Sequence, residues 1–285
     1  GSTVMDMLLG ASPDCRSLGE IGRAFLPQKK HHILRECGCM NPNCETWETI
    51  LQNDSSDVHN RIFENFPDRI FIDSTKDPHW INDRSKEILK RGHEVVNILI
   101  WKSPNEISKS YKKRGLERYW KRHWTNYHRL YFSLIGDFFI IPYELITKPD
   151  KLQSIMKKIG LEINQEFWKA DPCILFGNDS AKRHLYPKES DAYREIQSRR
   201  KTDLNISEME SHRSINEAEL SKGQHGEIYS GKVLKVHSFL STNSVTNYEL
   251  NPISYPEDGK LRFGILSRRI RKYFQISKTI IPRIR

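Results

Sequence analysis

The sequence predicts an α/β fold with a mainly parallel sheet, and three observations predict it. Short apolar runs alternate with longer amphipathic ones from Gly1 to about Arg200. One run, VVNILIW (95–101), is continuous and β-branched, as a central strand covered on both faces would be. Helix-start signals, Asp77-Pro78 and then Pro104, come directly after such runs. Strands alternating with helices put the strands side by side and parallel.

Taken in order, GSTVMDMLLGASPD (1–14) sets Val4, Met5, Leu8 and Leu9 on one helical face, and Gly10 and Pro13 end that helix. CRSLGE (15–20) follows, then a polar, cysteine-bearing stretch from Gln28 to Trp47. RIFIDST (69–75) is a short buried strand, and Asp77-Pro78 opens a helix to about Arg91. After the 95–101 strand, Pro104 starts a helix through Ile107 to Lys113. Residues 117–135 form a long helix whose Trp120, Trp124, Tyr127 and Tyr131 recur at three- and four-residue steps, the spacing of core packing. DFFIIPYE (137–144) is a strand, and LITKPDKLQSIMKKIGL (145–161) is a turn and an amphipathic helix closed by Gly160. Beyond Arg200, Ser, Asn, Glu and Lys dominate, with short apolar runs such as VLKVHSFL (233–240). The division is thus a domain over 1–199 and a C-terminal extension over 200–285.

The chain has 285 residues, 37% of them hydrophobic, enough for a core and against global disorder. No apolar run nears the roughly 20 residues of a membrane span, and no signal peptide is visible. Five cysteines, an odd and low number, do not make a disulfide framework, which fits a reducing, cytoplasmic setting. The net charge of +10 is local: Lys260–Arg285 carries nine basic residues and no acidic one, leaving 37 basic against 36 acidic elsewhere. That tail either lies on an anionic membrane or polymer surface or is a solvated basic end. No nucleic-acid partner is expected.

Four stretches carry candidate chemistry. Gly1-Ser2-Thr3 at a helix start offers backbone N–H groups, two hydroxyls and the positive end of the helix dipole, a phosphate cradle, although Ser and Thr are also ordinary caps. Lys102 to Ser110 follows the strongest strand, where α/β sheets bind ligands; its plainer reading is a polar turn into a helix. Asp73-Ser74-Thr75-Lys76-Asp77 also follows a strand, and Lys76 there either points into the same crevice or is solvated, with Ser74 or Thr75 capping. Glu20 near a phosphate loop is a candidate general base, against the plainer reading of a surface carboxylate. Separately, Cys37-Gly38-Cys39 and Cys44, with His31 and His32 nearby, suggest zinc, but the spacing is not that of a finger and no fourth ligand is evident.

The ordered set GSTVMDMLLGASPD, SLGE, C-x-C with C-x-x-W, IDSTKDP, K-S-P-x₅-S after a strand, PYELITKPDKL and FGNDSAKR resembles the sulfotransferase superfamily that uses 3′-phosphoadenosine 5′-phosphosulfate. It is most similar to bacterial-type members and, in its first part, to tyrosylprotein sulfotransferases, over roughly residues 1–185. The resemblance implies a P-loop-like three-layer fold whose first strand would precede Gly1. It implies that Gly1, Ser2 and Thr3 end the loop holding the 5′-phosphosulfate, so that a chain beginning at Gly1 would hold this group weakly. Lys102, where the family has Arg, and Ser110 would hold the 3′-phosphate; Lys keeps the charge but not the two-pronged fork. Glu20 would be the catalytic base and Lys76 the cation that stabilises the transferring sulfuryl group. Asn178, Ser180 and Arg183 would cover the nucleotide.

The activity so implied is transfer of a sulfuryl group to an acceptor hydroxyl, of a carbohydrate or another alcohol rather than a protein tyrosine. The donor is activated by its own leaving group, so the chemistry requires no metal. A cytoplasmic location fits this reading, or the Golgi lumen for a eukaryotic chain whose membrane anchor lies ahead of Gly1. Two other readings remain. A P-loop nucleotide kinase would use Asp73 to hold Mg²⁺, though no Lys precedes Ser2-Thr3. A non-catalytic protein would use the basic tail to bind anionic ligands.

Overall fold

Among the residues that the computed structural model describes (1–27, 37–41, 44–51, 55–67, 69–113, 115–166, 169–177, 179–198 and 231–244), four strands form two parallel pairs. β1 (Cys15–Gly19) pairs with β2 (Ile70–Asp73), with Cys15 opposite Ile70 and Gly19 opposite Asp73. β3 (Ile98–Trp101) pairs with β4 (Phe139–Pro142), with Ile98 opposite Phe139. Parallel neighbours need a crossover. Between β1 and β2 the chain makes α2 (Glu45–Ile50) and α3 (Val58–Asn65), and between β3 and β4 it makes α5 (Pro104–Lys112) and α6 (Trp120–Leu134). The fold is therefore α/β with small parallel sheets.

The predicted strands at 69–75, 95–101 and 137–144 all form, each shortened to four residues. Two details differ. β3 is not covered on both faces: Leu99 and Trp101 are buried, whereas Ile98 and Ile100 are half-buried. After Pro142 the chain turns at once into α7 (Tyr143–Ile146), because Pro142 offers no N–H to continue a ladder.

α1 (Ser2–Gly10) joins the parts. Met5, Leu8 and Leu9 pack with Ile141 of β4, Tyr143 and Ile146 of α7, and Leu152, Ile155 and Met156 of α8 (Pro149–Lys157). Its other side sends Met7 to Ala170, Ile174 and Leu185. A third cluster gathers Leu18, Ile21, Trp47, Ile50, Val58, Ile62 and Trp80 beneath β1. Trp80 belongs to α4 (Pro78–Lys90), which Asp77 caps by accepting from the backbone N–H of His79 (3.0 Å) and Trp80 (3.3 Å). The cap is Asp77, not Ser74 or Thr75, whose hydroxyls are committed elsewhere. α5 starts with a capping box: Ser103 Oγ accepts from Glu106 N–H (3.3 Å) and Glu106 Oε2 accepts from Ser103 N–H (2.8 Å).

The aromatic helix runs as a 3₁₀ turn at Glu117–Tyr119 and then α6, with Trp120, Trp124 and Tyr131 buried. Two short helices follow α8: α9 (Asp179–Lys182) and α10 (Asp191–Ser198). Past the change in texture at Arg200, α11 (Gly231–Asn243) buries Val233, Val236 and Leu240, and sets Phe239 against Phe132 of α6 at 4.9 Å between rings. The described residues all fall within one compact unit. The basic tail lies outside the described residues. Among the described residues no helix is long and apolar enough to cross a membrane.

Candidate active site

The segment after β2 is fixed from four directions. Asp73 Oδ1 accepts from Thr75 N–H (2.8 Å) and Asp73 Oδ2 from Trp80 Nε1–H (2.8 Å). Thr75 Oγ1 accepts from Gly22 N–H (2.9 Å). Ser74 N–H donates to the Gly19 carbonyl (2.8 Å), and Ser74 Oγ donates to Asp6 Oδ2 (3.1 Å). The next residue, Lys76, then reaches Glu20, and Lys76 Nζ pairs with Glu20 Oε1. Glu20 Oε2 lies 3.6 Å from Arg23 Nε. Glu20 is nearly buried, while the Lys76 side chain is 46% exposed. The two residues named as base and sulfuryl-stabilising cation, 56 positions apart, are in contact.

Gly19 explains how Glu20 is held. It sits between β2 and the segment around Leu175, with φ +68°, and a Cβ there would stand 2.0 Å from the Leu175 carbonyl oxygen. Only glycine tolerates both demands. That close approach lets Glu20 N–H donate to the Leu175 carbonyl at 2.8 Å.

A cavity of about 2040 Å³ opens beside this pair. Its wall includes Gly1, Ser2, Thr3, Lys76, Lys102, Ser110 and Arg183, together with β2 and β3. Glu20 is not on the wall and meets the cavity through Lys76. Lys102, at the carboxyl end of β3, has its carbonyl held by Trp124 Nε1–H (3.1 Å) and its Nζ 3.7 Å above the Tyr143 ring. The same ring lies hard against Gly1. Arg183 is buried, its Nε donating to His184 Nε2 at 3.3 Å. Asn178 and the side chain of Ser180 lie outside the described residues.

The electrostatics at the start of α1 favour an anion. Lys102 and Lys76 lie close enough to act electrostatically on this turn, and a helix N-terminus stabilises negative charge.

Asp6, one turn further along α1, was not singled out by the sequence. Burial pushes its carboxyl up to about 7, against hydrogen bonds from Ser17 and Ser74, and its Oδ1 has no partner in the protein. The folded-state value stands above the ordinary 3.8, so the folded protein holds this proton more tightly than the unfolded chain. The resulting stability is fully present below about pH 4 and is lost as pH rises through about 7, a change of roughly 4 kcal/mol. We expect Asp6→Asn to flatten this dependence and to raise stability at about pH 8, measured by denaturant midpoints at about pH 5 and about pH 8. Equal slopes in both proteins would place the titrating group elsewhere.

Asp73 does not suit the Mg²⁺-holding part. Both its oxygens are taken by Thr75 and Trp80, and burial raises its pKa, so ionisation there is already opposed.

The cysteines converge. Cys37, Cys39, Cys44 and Cys173 bring their four sulfurs within 4.8 Å of one another. Cys39 and Cys37 sulfurs are 3.4 Å apart, and those of Cys44 and Cys173 3.6 Å. Burial pushes the Cys37 thiol up to about 12; at Cys44, hydrogen bonds from Cys39, Cys173, Thr46 and Cys37 outweigh burial and lower the pKa. His31 and His32 lie outside the described residues. Sequence reasoning missed Cys173, which stands 129 positions from Cys44, and no local spacing could have found it.

No protein-family model, curated protein or solved structure matches the chain.

Proposed function

We propose that the chain is a sulfotransferase that moves a sulfuryl group from 3′-phosphoadenosine 5′-phosphosulfate to an acceptor hydroxyl, on a carbohydrate or another alcohol. The observation that carries the reading is the Lys76–Glu20 pair at the edge of a cavity whose wall also bears Lys102, Ser110, Arg183 and the N-terminal turn of α1. A cation and an anion cradle on one cavity wall, with a carboxylate directly behind the cation to take a proton, are the parts that transfer from a phosphosulfate needs. The two parallel pairs, with β2 and β3 both lining the cavity, suit a P-loop-like three-layer fold, in which the central strand runs between two such pairs.

In this reading the acceptor oxygen attacks sulfur in line. The bond from sulfur to the bridging phosphate oxygen breaks, and adenosine 3′,5′-bisphosphate leaves with the electron pair. Charge spreads over the equatorial sulfuryl oxygens, much as in phosphoryl transfer. Those oxygens compete for Lys76, which releases Glu20 Oε1 to accept the acceptor's proton. The first turn of α1 holds the 5′-phosphate, and Lys102 with Ser110 the 3′-phosphate.

Calorimetry tests the reading. Adenosine 3′,5′-bisphosphate should bind at least about tenfold more tightly than ATP with Mg²⁺, a difference of about 1.4 kcal/mol. Lys102→Ala should weaken the bisphosphate roughly 10–100-fold, the worth of one hydrogen bond to a charged group, and leave 5′-AMP nearly unchanged. Tighter binding of ATP with Mg²⁺ would favour a phosphotransferase. Binding of neither would leave an anionic-ligand-binding protein.

A further inference from the structure

We propose that Cys37, Cys39, Cys44 and Cys173 hold one zinc ion as thiolates, at a structural site that fastens two distant segments beside Glu20. The inference stands independently of the sulfotransferase reading. Thiolates on one tetrahedral zinc, each about 2.3 Å from the metal, lie about 3.8 Å apart. The pairs at 3.4 and 3.6 Å, in a set spanning no more than 4.8 Å, already approximate that tetrahedron. In an iron–sulfur cluster the cysteines bind different irons and stand further apart, so this span suits a single ion. Four soft sulfur donors with no oxygen or nitrogen among them select zinc over the harder divalent cations.

The surroundings fit a metal thiolate. Four thiolates around Zn²⁺ carry net negative charge, and the buried Lys182 side chain lies beside Gly38, within the C-x-C turn. Tyr186 Oη donates to the Gly38 carbonyl at 2.6 Å.

The backbone supplies an independent sign. Among the described residues, two that are not glycine have positive φ, Met40 (61°) and Phe176 (56°). One follows the C-x-C turn directly and the other lies three residues beyond Cys173. A side chain in that region costs energy and persists only where the surroundings impose it. A shared ion that draws both segments inward is such an imposition. The segments are also stitched by Gly38 N–H to the Ile174 carbonyl (2.8 Å) and by a bridge between Cys37 and Leu175. Leu175 is the residue whose carbonyl holds Glu20.

Binding exchanges four thiol protons for one ion, and no electron moves. Two disulfides would instead oxidise the four sulfurs and pull them into two short pairs. Metal analysis of untagged, natively purified protein by inductively coupled plasma mass spectrometry should find about one zinc per chain. Cys15→Ser should keep it, and Cys173→Ser should lose most of it. If Cys173→Ser does not fold, cobalt added to chelator-treated wild-type protein serves in its place. It should give the near-ultraviolet thiolate-to-cobalt charge-transfer bands of a tetrahedral four-sulfur site. Protein with no zinc and no such bands overturns the proposal, whether its four thiols are free or its intact mass is short by the four hydrogens of two disulfides.

Discussion

Replacing Glu20 by Gln should lower sulfuryl-transfer turnover by about 10²-fold or more, the ordinary worth of a positioned general base, and leave adenosine 3′,5′-bisphosphate affinity unchanged. The change is nearly isosteric, and the backbone N–H of residue 20 still donates to Leu175, so the local fold should survive. Gln cannot accept the acceptor's proton. It also leaves Lys76 without its carboxylate partner, so part of the loss could arise from a misplaced cation. Steady-state rates at saturating donor, beside calorimetry on the same preparation, separate the two: a misplaced Lys76 would weaken donor binding, whereas a lost base would not. Unchanged turnover would remove Glu20 from the chemistry.

Lys76→Met should cost about 10²–10³-fold in turnover, comparable to removing one donor aimed at developing charge. Methionine keeps the length of the stem and deletes only the charge. The Asp73–Thr75–Trp80 network that sets the loop does not involve the Lys76 ammonium, so the loop should hold its shape. Because Lys76 and Glu20 touch, the two losses should not multiply. The double variant should be little worse than the poorer single one. Fully multiplicative losses would mean that the two side chains act independently despite their contact.

Much of the fold is legible in the sequence because its signals are local. Asp77-Pro78 and Ser103-Pro104 start helices where they stand, and the β-branched runs at 70–73 and 98–101 are strands. β1 is less legible: Arg16 and Ser17 interrupt its apolar run, and Arg16 is accommodated by Asp171 at 2.8 Å and by stacking over Phe66. The run at 137–144 extends two residues past the end of β4, although the missing N–H of Pro142 is a local sign that the ladder stops there. The sequence offers Glu20 and Lys76 as candidates and the resemblance gives their roles, but their contact arises from β1–β2 pairing, which no spacing states. Asp6 reads as an ordinary helical Asp until packing buries it. Cys173 reads as a solitary thiol until the chain returns past Cys37.

β1–β2 and β3–β4 share no hydrogen-bonded ladder among the described residues, and α1 packs on both. The two halves are therefore held by side-chain packing within one compact unit, with α1 as the rod between them. A ligand seated on the first turn of that rod would also contact Lys76 from one half and Lys102 from the other. Its binding energy would add to the packing that already joins them, so saturating ligand should raise the melting temperature of the whole unit.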